Sequence, residues 1–362
     1  MIRVAVNGRF LGQRITGVQR HARELLRAMD ALVTSTPAIG ARFSLSVLTP
    51  RGISPTLPLS SIPIRQVGSL RGQLWEQLEL ARHAVGVTLL NLCNTAPLAS
   101  RSMVATIHDV SVYAVPEAYS TPFRMWYRFM LPRLGRRARR IVTVSNFSRR
   151  ELERYIGVSS TDITVISGSG EHILAQPADF RILERMSLRS RGYVVAVGSH
   201  SPHKNLAGVA EAARQLGAQG IDTVIAGGTN TEVFGSHPVA EHPHLRFAGY
   251  VSDAELRALY EHAACLLYPS FYEGFGLPPL EAMSCCCPVV AARAASLPEA
   301  CGDAAVYCDP ADFSDIARAV QSVVGDSAMQ EELRRRGVER ARRFTWGGAA
   351  TAMFNLLDQL QP

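Results

Sequence analysis

Apolar residues along this chain fall in short runs, separated by longer stretches in which they recur every three or four positions. The runs at 2–6, 44–49, 88–92, 103–107, 141–145 and 163–166 read as strands, and the amphipathic stretches 17–32, 72–84, 122–138 and 146–156 as helices. The rhythm then repeats, with strands at 193–197, 223–226, 245–248, 265–268, 288–291 and 304–307 and helices at 205–218, 252–262, 279–286 and 311–342. Such alternation predicts an α/β protein whose parallel sheets carry helices on both faces. Between the halves, 168–192 is polar and irregular and is the expected linker. The pattern thus predicts two Rossmann-like, doubly wound domains, 1–170 and 171–345, facing across a cleft at the carboxyl ends of their strands. The final segment, 346–362, is expected to pack back on the first domain.

Composition narrows the class. With 362 residues, 47% of them hydrophobic and 19% charged, the chain has enough apolar side chains for two packed cores. No apolar run reaches the ~18 residues of a membrane span, and Met1–Gly8 reads as a strand and turn without a secretory pattern, so a cytoplasmic protein is expected. The seven cysteines, three of them consecutive at 285–287, form no disulfide framework and read as small buried hydrophobes. No C-x-x-C occurs, and the pairs His200/His203 and His242/His244 lack further ligands, so no metal is expected.

The net charge of +7 is concentrated at 122–140, where seven arginines alternate with Phe123, Met125, Trp126, Tyr127, Phe129, Met130 and Leu131. This reads either as a basic aromatic helix that meets an anionic membrane surface or as an ordinary helix with a solvated basic face. No nucleic-acid motif accompanies the charge.

Chemistry concentrates in Tyr268-Pro269-Ser270-Phe271-Tyr272-Glu273-Gly274-Phe275-Gly276-Leu277-Pro278-Pro279-Leu280-Glu281. A buried strand end leads into a glycine-bearing loop and a double proline that can open a helix. The glycines admit a ligand close to the backbone, and the helix start presents amides to an anion. Glu281 is expected in the first helical turn and Glu273 at the strand edge; each carboxylate can take two hydroxyls of a sugar or ribose. The plainer reading makes Glu281 a complement to the helix dipole and Glu273 a solvated acid.

Other strand ends carry polar groups. Gly198-Ser199-His200-Ser201-Pro202-His203-Lys204-Asn205 opens a helix, and Lys204 there either reaches phosphate oxygens or is a surface charge. His108-Asp109 ends another strand, with His108 either contacting a sugar hydroxyl or satisfied structurally. Thr16-Gly17-Val18 is a further glycine-bearing helix start. The first βα turn has no G-x-G-x-x-G and no P-loop occurs, which disfavours nicotinamide dehydrogenases and P-loop kinases. No D-x-D occurs to hold a divalent metal on a diphosphate.

In order, Thr16-Gly17-Val18-Gln19-Arg20, His108-Asp109-Val110, Val144-Ser145-Asn146-Phe147-Ser148, Pro202-His203-Lys204-Asn205-Leu206, Phe247-Ala248-Gly249-Tyr250-Val251, Glu273…Glu281 and Ser296-Leu297-Pro298-Glu299 resemble the retaining GT-B glycosyltransferases of family 4. The resemblance spans nearly the whole chain. It implies that the C-terminal domain binds a nucleotide sugar and the N-terminal one the acceptor. Glu281 would hold the ribose; Glu273 with Gly274, Phe275 and Gly276 would grip the donor sugar, beside Ser199 and Leu277. Lys204 would neutralise the diphosphate with Gly17 nearby, His108 would contact the sugar, and Val251 would lie beside the base. His203 stands where such families commonly carry arginine, which places more of the diphosphate charge on Lys204. Catalysis is thus expected from Glu273, His108 and Lys204, without a cofactor. The expected activity moves a hexose, first mannose from GDP-mannose, to a glycan or lipid-linked acceptor in surface polysaccharide synthesis. A nucleotide-sugar epimerase or hydrolase, or a non-catalytic nucleotide-sugar binder, stands as the alternative.

Overall fold

The structure, a computed structural model, describes residues 1–53, 57–199, 201–227 and 242–360. The chain forms two compact units: residues 1–110, 126–168 and 346–362 make one, and residues 111–125 and 169–345 the other.

In the first unit β1 (Ile2–Asn7), β2 (Phe43–Thr49), β3 (Ile64–Gln66), β4 (Thr88–Asn91), β5 (Met103–Thr106), β6 (Arg140–Thr143) and β7 (Ile163–Val165) form one sheet in the order β3-β2-β1-β4-β5-β6-β7. All its pairs are parallel, with Val4 opposite Leu45 on one side and Thr88 on the other. Val6, Leu89 and Leu90 are wholly buried, as a sheet covered on both faces requires. The helix Gly17–Ser35 packs against the last helix, Trp346–Gln359, and the Phe43 and Phe354 rings meet at 4.9 Å.

In the second unit β8 (Tyr193–Val197), β9 (Asp222–Ala226), β10 (Leu245–Gly249), β11 (Cys265–Tyr268), β12 (Val289–Ala292) and β13 (Val306–Cys308) form a parallel sheet in the order β10-β9-β8-β11-β12-β13. Val194, Leu267 and Val290 lie in a core closed by Val209, Leu216, Ile316 and Val320 from two covering helices.

Some details depart from the pattern. The helix expected over 311–342 is two, Phe313–Val324 and Ser327–Ala341, because the chain breaks at Gly325 and Asp326 caps the second. The helix expected over 72–84 forms, but Trp75–Leu80 is wound wider, as a π-helix. The expected linker is built into the second unit: Gly170 lies so close to Leu280 and Glu281 that a Cβ would come within 2.4 Å of the Glu281 nitrogen. Of the cysteines, Cys286 is exposed and takes φ +56°, a left-handed position that suits glycine, rather than being buried like Cys285 and Cys287. No helix among the described residues is long and apolar enough to cross a membrane.

Candidate active site

The order of the second sheet reverses between β8 and β11, and the loops leaving these two strands carry Lys204 and Glu273. A crevice at such a reversal is where open α/β sheets take ligands. Lys204 Nζ lies 2.7 Å from Glu273 Oε1 and 3.0 Å from the Tyr268 hydroxyl. Burial pulls the Lys204 ammonium down, but the Glu273 carboxylate more than offsets this and its pKa ends raised. Burial likewise pushes the Glu273 carboxyl up, and the Lys204 charge brings it below the usual range. Both groups are therefore ionised at neutral pH.

The backbone fixes this pair from several sides. Asn205, buried and left-handed at φ +56°, accepts from the Gly208 amide and so caps the helix Leu206–Gly217. Its amide donates to the carbonyls of Pro269 and Pro310 at 3.1 and 2.8 Å, tying the Lys204 turn to the end of β11. The Phe271 amide donates to the His203 carbonyl at 2.8 Å. On the acidic loop, the buried Ser296 hydroxyl is shared between the carbonyls of Glu273 and Phe275 at 2.9 and 2.8 Å. Gly276 sits at φ +113°, and a Cβ there would lie 2.9 Å from Leu297, so glycine is required.

The helix Leu277–Ser284 that follows has no side-chain cap, so its start is open to an anion. The double proline removes two of the four free amides, leaving those of Gly276 and Leu277. Glu281 lies in the second turn of this helix, not the first as expected, and is buried. Its Oε1 is 3.0 Å from His172 Nε2 and its Oε2 accepts from the Tyr260 hydroxyl at 3.2 Å. His172 Nδ1 faces the Ser169 carbonyl at 3.2 Å, so the ring is held at both nitrogens. Neither the dipole complement nor a solvated acid describes these carboxylates: Glu281 is tied to a histidine and Glu273 to a lysine.

Ser199 lies two residues past the end of β8, after Gly198, and its neighbour His200 lies outside the described residues. Val251 follows β10, two strands from β8 and hence about 10 Å along the sheet edge, just before the Ser252 cap of the helix Asp253–His262. His244 is engaged by Asp222 at 2.9 Å, and His242 Nδ1 accepts from the His244 amide.

In the first unit, Gly17 is exposed at the start of its helix, with open space where a side chain would be. His108 follows β5 and is buried; its Nε2 lies 2.9 Å from the Leu92 carbonyl, to which it must donate, which leaves Nδ1 as the acceptor of the neutral ring. Asn94 accepts from the His108 amide at 2.7 Å. Burial lowers the His108 pKa. The buried His21, one turn beyond Gly17, stands edge-on to His108 at 4.8 Å, and burial and the His108 charge hold it well below its ordinary value.

Tyr268, Asn205, Ser296, His172, Tyr260 and His21 are parts of these sites that sequence reasoning did not single out. Tyr268, Asn205 and Ser296 stand in the quoted motifs. No spacing announces the others, which reach their partners through tertiary packing.

Two parallel doubly wound sheets, the second with a cation–carboxylate pair beside an open helix start at its strand reversal, are the architecture of the GT-B fold. Residues 15–168 match the family Glycosyltransferase Family 4, and residues 187–344 match Glycosyl transferases group 1. The O-antigen chain mannosyltransferase B of Escherichia coli is 33% identical over 70% of this chain and 69% of its own length. The O-antigen chain mannosyltransferase RfbU of Salmonella typhimurium is 27% identical over 64% and 63%. Among solved structures, Anabaena HepE in complex with UDP-glucose superposes with a TM-score of 0.73 over 99% of this chain and 100% of that one, at 16% identity, a likeness of fold. The chain belongs to the group 1, family 4 glycosyltransferases. It is a glycosyltransferase enzyme.

Proposed function

We propose that this enzyme transfers mannose from GDP-mannose, with retention, to a hydroxyl of a glycan or lipid-linked acceptor in the synthesis of a surface polysaccharide. The Lys204–Glu273 pair at the β8/β11 reversal carries the reading, and the O-antigen mannosyltransferases among its relatives support the sugar and the product. In this reading the Lys204 ammonium meets the donor diphosphate, together with the amides of Gly276 and Leu277. Glu273, with Gly274 and Phe275, takes hydroxyls of the sugar; Glu281 takes the ribose, Ser199 the phosphates and Val251 the base side. In the first unit, Gly17 leaves room for a diphosphate and His108 Nδ1 accepts from a sugar hydroxyl.

As the bond between the anomeric carbon and the diphosphate oxygen breaks, its electron pair passes to that oxygen. Lys204 and the two fixed amides stabilise the charge there. The acceptor oxygen attacks from the face the diphosphate leaves, and its proton passes to the departing phosphate. A carboxylate nucleophile of the glycosidase kind does not suit Glu273, because the Lys204 ammonium 2.7 Å from its Oε1 draws charge from the carboxylate and weakens it as a nucleophile. No divalent metal enters this scheme.

Glu273→Gln is expected to abolish transfer while nucleoside diphosphate affinity changes little. Retained turnover, or a covalent glycosyl adduct trapped on Glu273, overturns the assignment. The enzyme would work in the cytoplasm, at the inner face of the plasma membrane. The helix Thr121–Arg137 supports such a contact through the exposed Met125 and Phe129 and its arginines, although Arg133, Arg136 and Arg137 also donate to backbone carbonyls. Vesicle sedimentation with anionic against neutral lipid tests this.

A further inference from the structure

Glu281 is held at both carboxylate oxygens by residues to which the transfer scheme gives no task. It projects from the second turn of the helix Leu277–Ser284, and its side chain is 9% exposed. At Oε1 stands His172, 2% exposed, from the 3-10 turn Glu171–Ala175, with its Nε2 3.0 Å away. At Oε2 stands Tyr260, wholly buried in the helix Asp253–His262, whose hydroxyl donates at 3.2 Å. Burial and the Glu281 charge push the Tyr260 phenol well above its ordinary pKa, so it keeps the proton it donates.

The histidine is itself fixed. Its Nδ1 faces the Ser169 carbonyl, and the buried Ser169 hydroxyl donates to the Phe344 carbonyl at 2.7 Å while accepting from the Glu171 amide at 3.1 Å. Gly170, between them, is pressed against the backbone of Leu280 and Glu281 with no room for a Cβ, so the turn cannot slide along the helix. A glutamate that a ligand must order loses rotamer freedom on binding, and one already pinned at both oxygens does not. These two bonds alone do not saturate a carboxylate, which offers about four acceptor positions.

Glu281 stands four residues past Leu277, about 6 Å along the helix axis, and helical side chains lean towards the N-terminus. A nucleoside diphosphate whose phosphates meet the open helix start therefore brings its ribose to this carboxylate. We propose that His172 and Tyr260 are positioning residues that lock the Glu281 carboxylate in the orientation accepting neighbouring ribose hydroxyls, and so make the enzyme select ribonucleotides over deoxyribonucleotides. This rests on the transferase reading and adds to it the residues that set the ribose selectivity of the donor site.

Calorimetry tests it with GDP, UDP and ADP, and then with the 2′-deoxy and 3′-deoxy forms of whichever binds the wild type, on the wild type, Tyr260→Phe, His172→Phe and His172→Gln. The wild type is expected to bind at least one deoxy form about tenfold more weakly than the ribonucleotide. Tyr260→Phe and His172→Phe each remove a partner of Glu281 and should narrow that ratio to about threefold or less, by weakening the ribonucleotide. His172→Gln keeps an N–H donor and should retain the ratio. Where His172→Phe fails to fold, Tyr260→Phe, which loses only a hydroxyl, decides with His172→Gln. A merely structural role would weaken all three nucleotides alike. A ratio unchanged in Tyr260→Phe or His172→Phe, a ratio that His172→Gln does not retain, or a wild type that binds both deoxy forms as tightly as the ribonucleotide overturns the proposal. A wild type that binds none of GDP, UDP and ADP would overturn the transferase reading itself.

Discussion

Lys204→Met separates the two tasks that the proposed mechanism gives the ammonium, balancing Glu273 and meeting the donor diphosphate. Glu273 stands 2.7 Å from Nζ and the two side chains are 12% and 17% exposed, so the pair is largely withdrawn from water. Breaking a buried pair at one partner costs about 3–5 kcal/mol, and the residual exposure puts this case near the lower end. Unit charges 4 Å apart at an effective dielectric of ~20 attract by about 4 kcal/mol. After hydration is counted, a charged hydrogen bond to phosphate retains roughly 2 kcal/mol, or about a 30-fold change in affinity. Lys204→Met is therefore expected to melt earlier and to bind GDP about 30-fold more weakly, by thermal denaturation and calorimetry.

The double variant Lys204→Met/Glu273→Gln distinguishes the two effects. Removing the orphaned carboxylate should restore roughly 1–3 kcal/mol of stability as a coupling term, yet GDP affinity should stay low because the cation is still missing. GDP affinity within threefold of wild type for Lys204→Met, or full recovery of affinity in the double variant, refutes the argument.

Gly276→Ala should cost at least ~2 kcal/mol of stability, since it meets both an unfavourable φ and Leu297; a melting temperature equal to wild type would contradict this. Cys286→Gly should do the reverse, stabilising by about 1 kcal/mol, because φ +56° strains a cysteine; denaturant midpoints with an unchanged slope decide it. Burial lowers the pKa of both His21 and His108, so below the ordinary histidine value of about 6.5 the unfolded chain takes up protons before the folded one. Stability should therefore fall as pH drops through 6.5, by up to about 1.4 kcal/mol per pH unit for each histidine still neutral in the fold. His21→Phe should reduce that slope in urea titrations, and an unchanged slope would exclude His21 as a source.

The buried parallel strands were readable because both their faces are apolar, and a run such as Tyr193–Val197 needs no partner to be recognised. Elements with little apolar signal were not: β3 has three residues and one apolar side chain, and the break at Gly325 interrupts a helical pattern that continues on either side. The acidic loop was legible because its glycines, prolines and carboxylates are contiguous. Its supports were harder to read, since Ser296 is 23 residues from Glu273 and His172 lies far upstream of Glu281. The π-wound turn that buries Glu76 leaves no mark in the periodicity of 72–84, and its partner Arg9 is 67 residues away.

The account turns on a metal-free, retaining transfer from a nucleotide sugar. Proton NMR of the wild type with GDP-mannose, a mannose-terminated glycan acceptor and excess EDTA follows donor, product and anomeric configuration in one sample. The account predicts release of GDP and growth of an α-mannosidic signal at a rate unaffected by the chelator. A β-linked product, or turnover that stops with EDTA and returns with a divalent cation, would contradict it.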